Sequence, residues 1–254
     1  PRVWFECSLG PEQFINRKLV AVTRRGKYLI LRFEGGLALI QHLRMTGKMI
    51  ELQSPALPDF IRAQVGTTGP KAVQVRCRFL FGTKEIVFYD TRRFGTISAV
   101  GDEAAFFLQK KIAPDPFHEE EIARLHFLEG LTRSFRPAKA ALLDQSLIAG
   151  VGNIYADEAL FAIGADPRTP AARLREPEKL WLVIREILTA SMAKGGSSIV
   201  NYVGADGLPG KFSDELKVYG REGEPCPGCG KKISKIQLAG RSTHYCSACQ
   251  KRRR

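Results

Sequence analysis

Two CxxC pairs near the C-terminus constrain this chain more than any other feature. Cys226-Pro-Gly-Cys229 is followed, sixteen residues later, by Cys246-Ser-Ala-Cys249. Each pair offers two sulfurs from one tight turn, and two such pairs close a tetrahedral site for one zinc ion. Gly228 and Gly230 supply the backbone freedom such a turn needs. Two disulfides are the alternative use of the four thiols, but pairs at this separation are a strong zinc pattern. Four thiolates leave no open position on the metal, so the expected zinc is structural. Any chemistry must come from what the zinc hairpin holds in place.

What it holds is basic. Between Lys211 and Arg254 there are eleven Lys or Arg against four Asp or Glu, and the chain ends Lys251-Arg-Arg-Arg254. The formal charge is +13, and four thiolates with one zinc ion (−4 + 2) lower it to +11. A field of this sign attracts polyanions, and counterion release makes nucleic acid the natural partner. Solvated charge that only aids solubility is the blander account of the same residues.

At 254 residues, 44% of them hydrophobic, the chain is long enough for more than one core. It has no apolar run long enough to span a bilayer and no signal-peptide pattern. Four of the six cysteines belong to the zinc pattern, and Cys7 and Cys77 stand alone in strand-like segments. A reducing cytoplasm is therefore expected.

Residues 1–100 read as β. Leu19–Thr23, Lys27–Phe33 and Leu37–Leu43 are rich in Val, Ile and Leu, with Glu34-Gly-Gly36 as a short hairpin turn. Val73–Phe81 and Glu85–Tyr89 repeat the pattern about Gly82-Thr83, and Ser54–Pro70 reads as a loop. Many strands with short turns imply a sandwich or barrel. After Gly101 the pattern becomes helical, over Glu103–Lys111, Glu119–Glu129, Lys139–Leu147, Ile154–Phe161 and Pro177–Lys194. Pro114-Asp-Pro116 separates the first two helices, because proline lacks the amide donor and moves the preceding residue out of the helical region. Within the helical hairpin of residues 139–161, Gly150 and Gly152 let backbone amides approach an outside group. Asn153 stands where the second helix starts, as a phosphate contact or as an ordinary N-cap.

Several stretches resemble formamidopyrimidine-DNA glycosylases. They are His42-Leu-Arg-Met-Thr-Gly47, Asp90-Thr-Arg-Arg-Phe-Gly95, Gly150-Val-Gly-Asn-Ile-Tyr-Ala-Asp-Glu158 and Val218-Tyr-Gly-Arg221. The cysteine hairpin with Arg241-Ser-Thr-His-Tyr-Cys246 completes the set. The resemblance implies an α+β multidomain fold: an N-terminal β-sandwich (1–103), a helical helix-two-turn-helix domain (104–220) and a C-terminal zinc-finger β-hairpin with four cysteine ligands (221–254). It implies base-excision repair of DNA. Oxidised purines such as 8-oxoguanine and formamidopyrimidines are removed from double-stranded DNA, and an AP lyase step then cuts the strand at the abasic site. Such work requires extruding the damaged nucleotide. A monomer in the bacterial cytoplasm, associated with the nucleoid and holding one structural zinc, is the form implied.

Site roles follow by the same resemblance. Met45, Arg92 and Phe94 would fill the void left by the extruded base, the apolar side chains replacing lost stacking and the arginine meeting the orphaned opposite base. Composition alone would place Met45 and Phe94 in the β core, and Arg92 as a surface charge. Lys27 resembles the lysine that assists strand cleavage, and Arg241 the arginine that binds phosphate at the lesion and helps the final elimination. Lys139 and Asn153 match phosphate contacts of the helical hairpin, and Ser197–Gly207 corresponds to a base-capping loop.

The chain also departs from the family. The family nucleophile is the amine of a proline in a Pro-Glu-Leu-Pro-Glu start. Here Pro1-Arg-Val3 lines up with an internal strand when counted back from Lys27, so the leading helix and its catalytic pair are expected to be absent. Pro1 as a substitute nucleophile is the other possibility. Ala72 replaces a DNA-contacting histidine, Thr91 the usual proline, and Arg44 a glycine found in many members. Two further readings stand beside the enzyme: a catalytically inactive homologue that grips lesion or abasic DNA, and a zinc-ribbon RNA-binding protein.

Overall fold

The computed structural model describes residues 9–55, 57, 74–197, 204–206 and 208–252. Expectations that fall on Pro1-Arg2-Val3, on Cys7, on Ala72, on most of the Ser54–Pro70 loop and on residues 198–203 and 207 of the capping loop lie outside them. The chain forms two compact units, Pro1–Phe106 with Ala193–Ser213, and Phe107–Met192 with Asp214–Arg254.

The first unit contains two antiparallel sheets. Strands β1 (Leu19–Arg25), β2 (Tyr28–Phe33), β3 (Ala38–His42), β4 (Gly47–Glu51), β5 (Val75–Phe81), β6 (Lys84–Asp90) and β7 (Thr96–Val100) are ordered β1-β2-β3-β7 and β4-β6-β5. Leu31, Phe33, Leu39, Ile97 and Ala99 of the first sheet meet Phe88 of the second in a closed core. Each large apolar side chain sealed there contributes about 1.5–3 kcal/mol. The sequence pattern does not delimit β4 and β7. Each is only five residues long and adjoins an irregular loop, so neither shows a clear period.

The register decides where the loops lie. Tyr28 pairs with His42 and His42 with Thr96, while in the other sheet Gly47 pairs with Asp90. The β1–β2 turn and the two crossovers between sheets, 43–46 and 91–95, therefore emerge at one end of the sandwich.

The second unit is helical, and its helices are numbered after α1 (Glu103–Gln109): α2 (Glu120–Thr132), α3 (Ala138–Leu142), α4 (Asn153–Ala162) and α5 (Pro177–Ala193). In α5 the buried positions Leu180, Trp181, Ile184, Leu188 and Ser191 recur at helical spacing, and its apolar members pack with Phe127, Leu131, Leu142 and Leu160. α3 stops five residues before the expected Leu147. Asp144 Oδ1 accepts the Ser146 backbone N–H at 3.0 Å and its hydroxyl at 2.6 Å, which draws the chain into a turn. α2 runs on through Gly130, where a Cβ would lie 2.5 Å from Leu147 Cδ1.

The last segment pairs β8 (Ser234–Leu238) with β9 (Arg241–Tyr245) through the two-residue turn Ala239-Gly240. Both turn residues have positive φ, 50° and 70°, the type I′ geometry whose twist suits a hairpin. Among the described residues, no helix is long and apolar enough to cross a membrane.

Candidate metal centre and nucleic-acid interface

The cysteine sulfurs of Cys226, Cys229, Cys246 and Cys249 all lie within 4.8 Å of one another. Cys226 Sγ is 3.8 Å from Cys249 Sγ, and Cys229 Sγ is 3.5 Å from Cys246 Sγ. A tetrahedron with Zn–S bonds of about 2.3 Å has edges of about 3.8 Å, so the four sulfurs fit zinc. None of them is in a disulfide. Backbone N–H groups of Gly228 and Cys249 point at Cys226 Sγ (3.4 Å) and Cys246 Sγ (3.5 Å), a setting that favours thiolates. Gln250, unremarked in the sequence, locks the second knuckle. Its Oε1 accepts the Cys246 N–H at 2.8 Å and its Nε2 donates to the Ala165 carbonyl at 2.8 Å.

The hairpin is fastened to the helical elbow through one carbonyl. Ser242 O accepts Lys139 Nζ at 2.8 Å and Asn153 Nδ2 at 3.1 Å. Lys139 also pairs with Asp157 Oδ1 at 2.7 Å, with neither side chain exposed, and Asp157 Oδ2 accepts the His244 N–H at 2.9 Å. Burial pushes the Lys139 ammonium below its ordinary pKa; Asp157 opposes that shift and the charge of Arg241 adds to it. The expectation for Lys139 is a direct phosphate contact. In the structure its ammonium is enclosed and bonded to the carbonyl of Ser242, the residue next to Arg241, whose own side chain is exposed.

Asn153 is half-buried and is the first residue of α4; the N-cap is Gly152, in extended conformation. Gly150, at φ 95°, bends the elbow, and Gln145 braces it by accepting the Gly150 N–H (3.1 Å) and donating to Val151 O (2.9 Å). Glu158, one residue beyond Asp157, accepts the backbone N–H groups of Lys217, Val218 and Tyr219 at 2.8–2.9 Å. Both carboxylates belong to the Gly150–Glu158 motif, whose interior acids carry no visible assignment in the sequence.

In the first unit, Met45, Arg92 and Phe94 come together. Met45 is 60% and Phe94 51% exposed, so neither belongs to the β core. Arg92 Nη1 lies 3.6 Å from Met45 Sδ, and the guanidinium carbon sits 4.6 Å from the centre of the Phe94 ring. Beneath them Asp90 is fully buried. It accepts the Thr46 hydroxyl (2.5 Å) and the Arg92 N–H (3.2 Å) on Oδ1, and the Gly95 N–H (2.8 Å) on Oδ2. Gly95 has to be glycine for this approach, since a Cβ there would lie 2.4 Å from Phe88 Cζ.

Lys27 is exposed in the tight β1–β2 turn at the same end of the sandwich. His42 holds Nδ1 as an acceptor for the Arg44 N–H at 2.9 Å, so its imidazole is neutral. Burial, then Arg44, then Lys27 lower its pKa to about 4. Of the sequence-derived residues, the structure thus brings Lys27, Met45, Arg92 and Phe94 to one sandwich end. It brings Lys139, Asn153 and Arg241 to one hairpin root.

A two-layer sandwich, a glycine-bent helical elbow and a four-cysteine hairpin define the architecture of a zinc-finger protein. Residues 7–97 match the formamidopyrimidine-DNA glycosylase N-terminal domain, 112–202 its H2TH domain, and 223–252 the zinc finger found in FPG and IleRS. The formamidopyrimidine-DNA glycosylase of Thermus thermophilus is 40% identical over 241 residues, 92% of this chain and 83% of that protein. That of Synechococcus sp. is 43% identical over 237 residues, 89% and 79% of the two chains. The crystal structure of MutM (Fpg) from Thermus thermophilus superposes with a TM-score of 0.78 at 40% identity, covering 92% of this chain and 83% of that one. A Lactococcus lactis FPG mutant in complex with Fapy-dG DNA gives 0.81 at 35% identity, covering 95% and 85%. The chain belongs to the formamidopyrimidine-DNA glycosylase family.

Proposed function

We propose that this protein is a base-excision DNA glycosylase that removes oxidised purines from duplex DNA and cuts the resulting abasic site as an AP lyase. The observation that carries the reading is the exposed cluster of Met45, Arg92 and Phe94. Two apolar side chains held in water beside a forked donor suit a wedge that enters a base stack. The apolar pair replaces stacking, and the guanidinium meets the base left without a partner. The Lactococcus lactis relative, solved as a mutant with Fapy-dG DNA and also with DNA containing an abasic site, supports the same substrate class.

The remaining residues take the other roles. Asn153 and the amides of the elbow, with Arg241 on the hairpin, hold the sugar-phosphate strand through charge and backbone donors. Lys139 acts on Arg241 through Ser242 rather than on phosphate. Lys27 offers an ammonium at the wedge end and assists strand cleavage. One zinc ion, held by the four cysteines, keeps the hairpin formed; it is structural. The working species is a monomer on bacterial DNA in the cytoplasm.

Incubation of the protein with an 8-oxoguanine duplex under borohydride tests the reading. Release of the base, strand scission and a covalent protein–DNA adduct are expected: a protein amine, for which Pro1 is the candidate that the sequence offers, displaces the base at the sugar C1′, and hydride reduces the resulting iminium. Lys27→Ala and Arg241→Ala are expected to lower scission more than binding. Tight binding to an abasic-site duplex with neither scission nor adduct would overturn the enzyme reading and leave a lesion-binding homologue.

A further inference from the structure

We propose that Asp90 is the positioning residue that makes Met45, Arg92 and Phe94 act as one wedge rather than as three separate side chains. The inference deepens the lesion-recognition reading above and rests on it.

The two loops that carry the wedge both cross from one sheet to the other, 43–46 from β3 to β4 and 91–95 from β6 to β7. Gly47 and Asp90 form the last pair of the β4–β6 ladder on that side, His42 and Thr96 the last pair of the β3–β7 ladder, and the 43–46 and 91–95 segments run unpaired between them. No sheet ladder fixes one loop against the other. The Asp90 carboxylate takes that place. One oxygen receives the Thr46 hydroxyl from the first loop together with the Arg92 N–H from the second, and the other oxygen receives Gly95 N–H at the far side of Phe94. Thr46 sits next to Met45, and Arg92 and Gly95 bracket Phe94, so every probe is within one or two residues of an Asp90 bond. The Asp90 carbonyl is held in turn by Arg76 Nε at 2.8 Å, which fixes the carboxylate's own position.

The loops need such a clamp. Arg44 and Arg93 both sit at positive φ, 57° and 61°, a conformation that a non-glycine residue keeps only when its surroundings impose it. Met45 and Phe94 expose more than half of their surface, so core packing does not fix them. A fully buried carboxylate accepting three hydrogen bonds is stiff, because each donor would be left costly and unpaired if it moved away. A wedge entering a base stack gains only what it does not lose in ordering its parts, so pre-set loops favour insertion.

Thr46→Val tests the role with little loss of volume, and Asp90→Asn removes the charge and part of the accepting capacity. Both are compared with the unaltered protein on a duplex holding a tetrahydrofuran abasic analogue beside 2-aminopurine, and on the same duplex undamaged. Each variant is expected to bind the tetrahydrofuran duplex about tenfold more weakly, with undamaged duplex changed less than about twofold. The 2-aminopurine rise that reports unstacking is expected to fall. In the unaltered protein, the effects of Met45→Ala and Phe94→Ala on tetrahydrofuran-duplex affinity are expected to be non-additive, and in the Thr46→Val background additive. A Thr46→Val protein that melts normally, unstacks 2-aminopurine fully and keeps the Met45–Phe94 coupling would overturn the role. If the unaltered protein does not itself discriminate the two duplexes, the functional reading has failed, and this inference falls with it.

Discussion

Lys139 Nζ lies 2.7 Å from Asp157 Oδ1, and both side chains are completely enclosed. An ion pair in that setting is weak as a source of stability and severe when broken. Lys139→Met leaves the Asp157 carboxylate buried without its counter-charge. The variant is expected to lose about 3–5 kcal/mol in urea unfolding. Adding Asp157→Asn, which keeps an acceptor for the His244 N–H, is expected to recover a large part of that loss. Equal stability of the single and double variants would contradict this account.

Metal removal should act locally first. With zinc gone, four sulfurs within 4.8 Å lose the charge that holds them together. Chelation is expected to release one zinc per chain and to make four further thiols reactive to Ellman's reagent. DNA binding should go with it, because the strand bearing Arg241 lies between the two cysteine pairs. Far-UV helical signal should largely persist, since α5 packs through its own apolar face.

His42 gives a pH dependence of defined sign. Its folded pKa, about 4, lies below the ordinary 6.5, chiefly through burial and then through Arg44 and Lys27. Between those values the unfolded chain takes up a proton that the folded one refuses. His42 therefore withdraws stability as pH falls from 6.5 to about 4, by at most about 3 kcal/mol and less where solvent screens it. His42→Gln is expected to flatten the stability curve over that window and leave it unchanged above pH 7. Parallel curves for the two proteins would show that His42 is not the group responsible.

Ala239 sits at φ 50° in the type I′ turn of the zinc hairpin. Its Cβ makes that conformation cost about 1 kcal/mol, which asparagine largely avoids. Ala239→Asn is expected to slow zinc loss to a chelator and to raise the melting temperature by a few degrees, roughly the shift that 1 kcal/mol produces. An unchanged or faster zinc loss would argue that the turn strain is unimportant.

The linear code carried some of this directly. The CxxC pairs announced the metal because their spacing is itself the ligand geometry. Val, Ile and Leu runs gave five of the sandwich strands, and α5 was plain because its buried residues recur every three to four positions. Met45 and Phe94 show the limit. An apolar residue in a β-rich stretch is core by default, and only the crossing of the chain between two sheets turns these two outward. Lys139 shows the converse: a lysine beside a glycine-bearing elbow reads as a surface cation, and its burial follows from Asp157 and Ser242, 18 and 103 residues away.

By itself the sequence determined which groups can exist here: a four-thiolate zinc centre, a cationic hairpin, a glycine-bent elbow and the motifs that place the chain in its family. Tertiary structure alone decided that Asp90 joins two loops and that Lys139 faces inward. Spacing along a chain encodes local turns and periodic faces. Which side chains share one buried carboxylate depends on strand register and sheet crossover, and these arise only when distant segments pack.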